Sequence, residues 1–228
     1  MKKALVTGSS KGIGKAITKQ LLELGYSVLG VSRSLASFKD KNYTHFQINL
    51  TNQKEVLEFC KKLKKEKEIF IVVNNAGFGR FEPHEELSFK VIADMVMLNL
   101  TTTLLITNAT LRSLKQNGGY LFNITSIEAI KSSKFAGVYS STKAGLKAFG
   151  DSLFEESRKS NLSVTNIIPD MTQSNFYDEL RFNVTQNENE KLLAEDIAQA
   201  IKHILSLRKG AVVQNYTIRS LNFGISKK

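Results

Sequence analysis

Short apolar runs alternate along this chain with longer segments whose apolar residues recur every three or four positions. Ala4-Leu5-Val6-Thr7 reads as a buried strand, and Ile13, Ala16, Ile17, Leu21 and Leu24 then share one helical face that Gly25 ends. "SVLGVS" (27–32) predicts a second strand and "HFQIN" (45–49) a third. Asn52 and Glu55 make a capping pair for a helix carrying Val56, Phe59, Cys60 and Leu63. The β-branched run "IFIVV" (69–73) predicts a fourth strand. A helical region from about 84 to 116 ends at Asn117-Gly118-Gly119, before a fifth strand "YLFNIT" (120–125). A helix from about Tyr139 to Lys159 precedes the sixth strand, "SVTNII" (163–168), which Pro169 stops. A last helix spans about 194–207, and "AVVQ" (211–214) offers a seventh strand.

Short buried strands alternating with helices imply a parallel sheet covered on both faces. The expected fold is α/β: a single doubly wound, Rossmann-like parallel sheet of about seven strands, in one domain over residues 1–228. In such sheets ligands sit beyond the carboxyl ends of the strands. The residues to inspect are therefore 8–14, 32–33, 49, 74–77, 125–126 and 169–172.

Composition alters this picture little. The 228 residues are 42% hydrophobic, enough for a sizeable core. No apolar run is read as spanning a bilayer, and the start "MKKALVTG" breaks too early for a signal sequence. A cytoplasmic protein without membrane association is expected. Cys60 is the single cysteine, placed as a buried, inert thiol. The net charge of +11 raises nucleic acid as a partner, but the lysines spread over solvated faces such as "KKLKKEKE". No zinc-ligand spacing or base-stacking motif accompanies them, so neither nucleic acid nor a metal is expected.

The chemistry concentrates at the strand ends. Gly8-Ser9-Ser10-Lys11-Gly12-Ile13-Gly14 follows the first strand and opens a helix, where glycines let phosphates approach main-chain N–H groups. Tyr139 and Lys143 lie four apart, on one helical face. An ammonium near a phenol favours phenolate and makes tyrosine a usable proton donor. Ser126 ends the fifth strand, where a hydroxyl can orient a carbonyl oxygen beside the tyrosine. Asn99 and Asn74-Asn75-Ala76-Gly77 add amides and a glycine near the same edge.

In order and spacing, Thr7-Gly8-x-x-x-Gly12-x-Gly14, Asn74-Asn75-Ala76-Gly77, Asn99, Ser126 and Tyr139-x-x-x-Lys143 resemble the motif set of the short-chain dehydrogenase/reductases. The resemblance covers residues 1–172 in detail. It implies a reductase of small-molecule carbonyl substrates, or the reverse alcohol oxidation, working as a homodimer or homotetramer. Tyr139 would be the general acid, Lys143 would hold the nicotinamide ribose and lower the tyrosine pKa, and Ser126 would bond the substrate oxygen. Asn99 would hold a relay water from a distorted helix. Gly8, Ser10, Lys11, Gly12, Ile13, Gly14, Asn49, Leu50, Asn75, Ala76, Gly77, Pro169 and Thr172 would contact the cofactor.

The second strand ends in Ser32-Arg33-Ser34 with no carboxylate for a ribose. Arg33, Lys11 and the hydroxyls of Ser32 and Ser34 suit a 2′-phosphate, so NADP(H) is the expected cofactor. Two positions depart from the family pattern. Asn49 stands where an aspartate is common, its amide oxygen still able to accept from adenine, and Asp170 replaces a glycine after Pro169. Residues 173–192 fall where the family keeps a variable substrate loop, with Phe176, Tyr177, Leu180 and Phe182 as an apolar wall or as the buried side of a short helix. A 3-oxoacyl-carrier-protein reductase and a non-catalytic NADP(H) sensor are the alternative readings.

Overall fold

Strand β1 (Lys3–Thr7) lies at the centre of a parallel sheet, because its residues 4–6 are apolar on both faces. The computed structural model describes residues 1–36 and 38–228. After β1 come α1 (Gly12–Glu23), β2 (Ser27–Ser32), β3 (Tyr43–Gln47), α2 (Gln53–Leu63) and β4 (Ile69–Asn74). Then follow α3 (Phe89–Val96), α4 (Thr102–Asn117), β5 (Tyr120–Ile124), α5 (Gly137–Ser157) and β6 (Ser163–Pro169). The last elements are β7 (Phe182–Asn183), α6 (Ala194–Ser206), β8 (Asn215–Ile218) and β9 (Ser226–Lys227). Seven strands form the main sheet in the order β3-β2-β1-β4-β5-β6-β8, all parallel. The chain reverses direction across the sheet between β1 and β4, the place where such sheets hold ligands.

Alternation along β1 sorts the core. Ala4 and Val6 join Ile17 and Leu21 of α1 and Ile197, Ile201 and Ile204 of α6 on one face. Leu5 faces the other way, towards Val56, Phe59 and Leu63 of α2, Ile106 and Leu114 of α4 and Leu153 of α5. Cys60 is buried in that second layer, where burial pushes its thiol pKa up.

Three boundaries differ from the sequence pattern. The third strand covers 43–47, because a turn in which Asn52 N–H bonds the Asn49 carbonyl claims its expected end. Asn52 does cap α2, accepting from the N–H groups of Lys54 and Glu55, but Glu55 reaches past it to the N–H of Asn49. The seventh strand is 215–218 rather than 211–214, because pairing with β6 and not local apolarity selects it. The long helical region is divided: α3 starts at a Ser88 cap, and a π-helical turn, Met97–Thr101, separates it from α4. Taken together, Phe89–Asn117 is long and apolar enough to cross a membrane by length and composition, which corrects the expectation that no segment is. In the fold Ile106, Ala109 and Leu114 of this region enter the core against the sheet.

A ladder of amides, buried from Asn74 to Asn166 and exposed at Asn215, crosses the sheet. Asn74 of β4, Asn123 of β5, Asn166 of β6 and Asn215 of β8 stand in register. Asn74 Nδ2 donates to Asn123 Oδ1 (2.9 Å), Asn123 Nδ2 to Asn166 Oδ1 (3.3 Å) and Asn166 Nδ2 to Asn215 Oδ1 (3.2 Å). Gly150 of α5 passes so close that a Cβ there would run into Asn166. Replacing Asn123 by Ala removes the partner of Asn166 Oδ1 and one partner of Asn74. Urea unfolding should show a loss of about 1–3 kcal/mol, the cost of an orphaned buried polar group.

Candidate active site

The carboxyl ends of β1, β4 and β5 meet over the switch point. Thr7 closes β1, and its hydroxyl accepts the N–H groups of Asn75 (2.9 Å) and Ala76 (3.0 Å). Asn75 Nδ2 returns a bond to the Thr7 carbonyl at 2.9 Å. This clamp binds the loop after β4 to the glycine loop after β1. The motif in the sequence includes Thr7 without marking it as a clamp; the signal for that role is a hydroxyl at the end of the central strand.

Gly8 has φ +70° and Gly12 φ +49°, a left-handed backbone that glycine adopts freely. Helix α1 starts at Gly12 with Lys11 before it, no side chain capping its first turn and no acidic residue in that turn. An uncapped helix start beside two lysines, Lys11 and Lys15, fits the diphosphate of a dinucleotide. Ser10 and Ile13 lie half-buried in the same loop. Arg33 is exposed and has no carboxylate within salt-bridge distance among the described residues. Ser32 differs from expectation: its hydroxyl is buried and donates to the Ser34 carbonyl at 2.8 Å.

Asn49 also differs. Its Oδ1 accepts from the N–H (3.2 Å) and the hydroxyl (2.9 Å) of Thr51, so the acceptor expected to meet adenine is already used in a local turn. Leu50 points into the core, and its carbonyl accepts from the Thr102 hydroxyl. Pro169 closes β6, and the Thr172 hydroxyl donates to the Asp170 carbonyl. Asp170 has a structural place: its Oδ1 accepts its neighbour's N–H at Met171, and its Oδ2 pairs with Arg219 Nε at 2.7 Å. The carboxylate that replaces the family glycine thus ties the C-terminal segment to the end of β6.

Tyr139, Lys143 and Asn99 are brought together. Lys143 Nζ donates to the Ile124 carbonyl (2.9 Å) and lies 5.8 Å from the centre of the Tyr139 ring. Asn99 is fully buried on the π-helical turn. Its Oδ1 accepts the Phe78 N–H, and its Nδ2 donates to the Phe78 carbonyl and the Thr142 hydroxyl. The side chain is therefore spent on holding loop and helix. A Cβ on Gly77 would lie 3.0 Å from Asn99 Oδ1 and 3.4 Å from Lys143 Nζ, so glycine keeps this corner open.

Aromatic rings cover the tyrosine. Phe81 and Phe176 lie 5.4 and 5.5 Å from Tyr139 between ring centres, and Phe182 packs on Phe81. Tyr177, Leu180 and Val184 form a small buried cluster behind them. Of the two open readings for residues 173–192, both hold in part, since Phe176 faces Tyr139 while Tyr177 and Leu180 are buried. β9 pairs antiparallel with β7, and Lys228 Nζ donates to the carbonyls of Tyr177 and Asp178. Arg80 pairs with Glu179, whose carboxyl pKa that contact lowers, with Arg33 adding a smaller pull in the same direction.

Burial dominates the titration of the pair. It pushes the Tyr139 phenol well above its usual value, opposed in small part by the nearby Ser126 hydroxyl. It lowers Lys143 to about 8. The expected lowering of the phenol by Lys143 is not seen with the rings packed over it, because exclusion of water penalises both charged forms.

A family model described as short chain dehydrogenase matches residues 2–185. The chain belongs to the short-chain dehydrogenase family, a class of nicotinamide-dependent oxidoreductases. An uncharacterised oxidoreductase of Staphylococcus epidermidis is 30% identical over 226 residues, which cover 96% of each chain. A 3-oxoacyl-acyl-carrier-protein reductase of Buchnera aphidicola is 29% identical over 185 residues, 78% of this chain and 76% of its own. The solved alcohol dehydrogenase of the archaeon Thermococcus sibiricus, complexed with 5-hydroxy-NADP, superposes with a TM-score of 0.83 at 28% identity, covering 97% of each chain.

The Thr7 clamp is directly testable. Thr7→Val keeps the shape but leaves the N–H groups of Asn75 and Ala76 without their acceptor. Urea unfolding should show a loss of about 1–3 kcal/mol for each orphaned group, with recovery in Thr7→Ser.

Proposed function

We propose that this protein is an NADP(H)-dependent carbonyl reductase, or in reverse an alcohol dehydrogenase, with Tyr139 as general acid and base. The observation that carries the reading is the convergence of Ser126, Tyr139 and Lys143 at one edge of the sheet, with Lys143 Nζ held on the Ile124 carbonyl at 2.9 Å and 5.8 Å from the centre of the Tyr139 ring. A bound nicotinamide supplies the hydride. Tyr139 gives its proton to the carbonyl oxygen as that oxygen gains charge. The Ser126 hydroxyl holds the same oxygen in place, and the Lys143 ammonium favours the phenolate left behind. Asn99 keeps the π-helical turn against the loop at Phe78, so its main-chain carbonyl is positioned for a relay water.

Among the described residues Arg33 and Lys11 form no salt bridge, and both suit a 2′-phosphate. The residues at 173–192 act as the substrate loop. Phe81 and Phe176 favour a carbonyl compound whose flanking group is apolar. The likeness to the Buchnera reductase favours a second reading, in which the carbonyl belongs to an acyl thioester.

Absorbance of NADPH over a panel of ketones, aldehydes and acyl thioesters separates these readings. Tyr139→Phe should lower turnover of whichever substrate is found by about 100-fold or more. Full activity in that variant would remove the mechanism, and an NADPH-binding protein with no turnover on any class would favour a sensor. For the cofactor, Arg33→Asp should weaken NADPH binding by about tenfold or more, with little change for NADH. Equal losses for the two, measured by fluorescence titration, would count against the 2′-phosphate assignment.

A further inference from the structure

Glu128 is a buried carboxylate that the proposed reaction does not use. It sits in a 3₁₀ turn, Ile127–Ala129, two residues after Ser126. Its Oε2 accepts the Ser133 N–H (2.9 Å) and the Ser140 hydroxyl (2.7 Å), and its Oε1 accepts the Ser133 hydroxyl (2.5 Å). Its own N–H donates to Ser126 Oγ at 3.2 Å. No lysine or arginine pairs with it among the described residues. Burying an unpaired carboxylate is costly, and three donors aimed at one side chain offset that cost here.

The placement of those donors carries the inference. Ser140 follows Tyr139 on α5, so the carboxylate ties the loop bearing Ser126 to the helix turn bearing the tyrosine. The Glu128 N–H fills an acceptor site on the Ser126 oxygen. That leaves the Ser126 proton to point away from the loop, towards the phenol or a substrate oxygen. We propose that Glu128 is a positioning residue for this site, clamping the Ser126 loop to α5 and orienting the Ser126 hydroxyl as a donor. The proposal rests on the roles given above to Ser126 and Tyr139.

A charge in this position has a second consequence. Beyond burial, Tyr177 from the segment after β6 and Glu128 from its loop both oppose formation of the Tyr139 phenolate, and Lys143 on α5 is the cation 5.8 Å from its ring centre. Removing the Glu128 charge therefore makes the phenol easier to ionise. The alkaline fall of reductive turnover, where Lys143 loses its proton at about 8 and Tyr139 only above that, should move to lower pH, because losing a nearby negative charge lowers both pKa values.

The test uses the full chain with three readouts. Glu128→Ala should lower kcat by about 10- to 100-fold, as misplacement of a reacting group does, with the NADPH Kd within about twofold of the parent. Hydrogen exchange over residues 126–133 should rise in that variant. Glu128→Gln keeps an amide oxygen for Ser133 and Ser140, so it should recover most of kcat with its alkaline limb moved to lower pH. Unchanged exchange over 126–133, or kcat within about twofold of the parent in Glu128→Ala, would overturn the proposal. So would an unmoved pH profile in Glu128→Gln, or parallel loss of kcat, NADPH binding and melting temperature, which marks a folding role alone. Full activity in Tyr139→Phe would overturn the underlying reaction as well. Activity lost in Tyr139→Phe but kept in Glu128→Ala would overturn the clamp only.

Discussion

Strand register is the constraint on which this molecule depends, and the amide ladder from Asn74 to Asn215 is where it is held. A one-residue slip in a parallel strand turns its side chains to the opposite face. In this sheet a slip would break buried amide bonds as well as misplace apolar groups, so the correct pairing is separated from its neighbours by both effects. The site inherits that register. Thr7 bonds Asn75, and Ile124 and Ser126 lie along the same edge, because β1, β4 and β5 end at matched heights.

Around this frame, polar side chains at the site are mostly engaged with the main chain of another element. Thr7 holds the loop after β4, Asn99 holds Phe78, Lys143 holds Ile124 and Glu128 holds Ser133. Each contact fixes a group that a reaction would need in one orientation, which is the usual route to a preorganised site. The aromatic cover over Tyr139 has the opposite electrostatic effect to the nearby lysine. It excludes water, so the phenol keeps its proton and Lys143 loses its proton more readily. The strap of β9 on β7, with Asp170 and Arg219 at its root, keeps that cover attached to the sheet.

Much of this was legible in the order of residues. Six of the seven main strands fall where the sequence pattern predicts strands, with edges shifted by at most two residues, because burial on both faces leaves a strong local mark on all of them but the edge strand β3. Tyr139, Lys143, Ser126 and the glycine loop were visible for a similar reason, being set at strand ends or at helical spacing. The misreadings share a cause in contacts distant along the chain. β8 is chosen by pairing with β6 rather than by the apolar "AVVQ". Asn49 and Ser32 have residue types suited to a ligand, but local turns had already taken their hydrogen-bonding atoms. The region from about 84 to 116 reads as one continuous helix, and only the fold shows a π-helical turn at Asn99.

The sequence by itself determined the alternation of strand and helix, the glycine loop and the pairing of a tyrosine with a lysine one helical turn away. Those properties follow from periodicity, backbone freedom and spacing, all of which act over a few residues. Tertiary structure decided which amides form the ladder, which carboxylates become anchors and how dry the tyrosine is. Asp170 stands out in the sequence only as a departure from a family glycine, and Glu128 does not stand out at all. They acquire roles through Arg219, Ser133 and Ser140, partners that the fold brings to them and that decide what a buried charge can do.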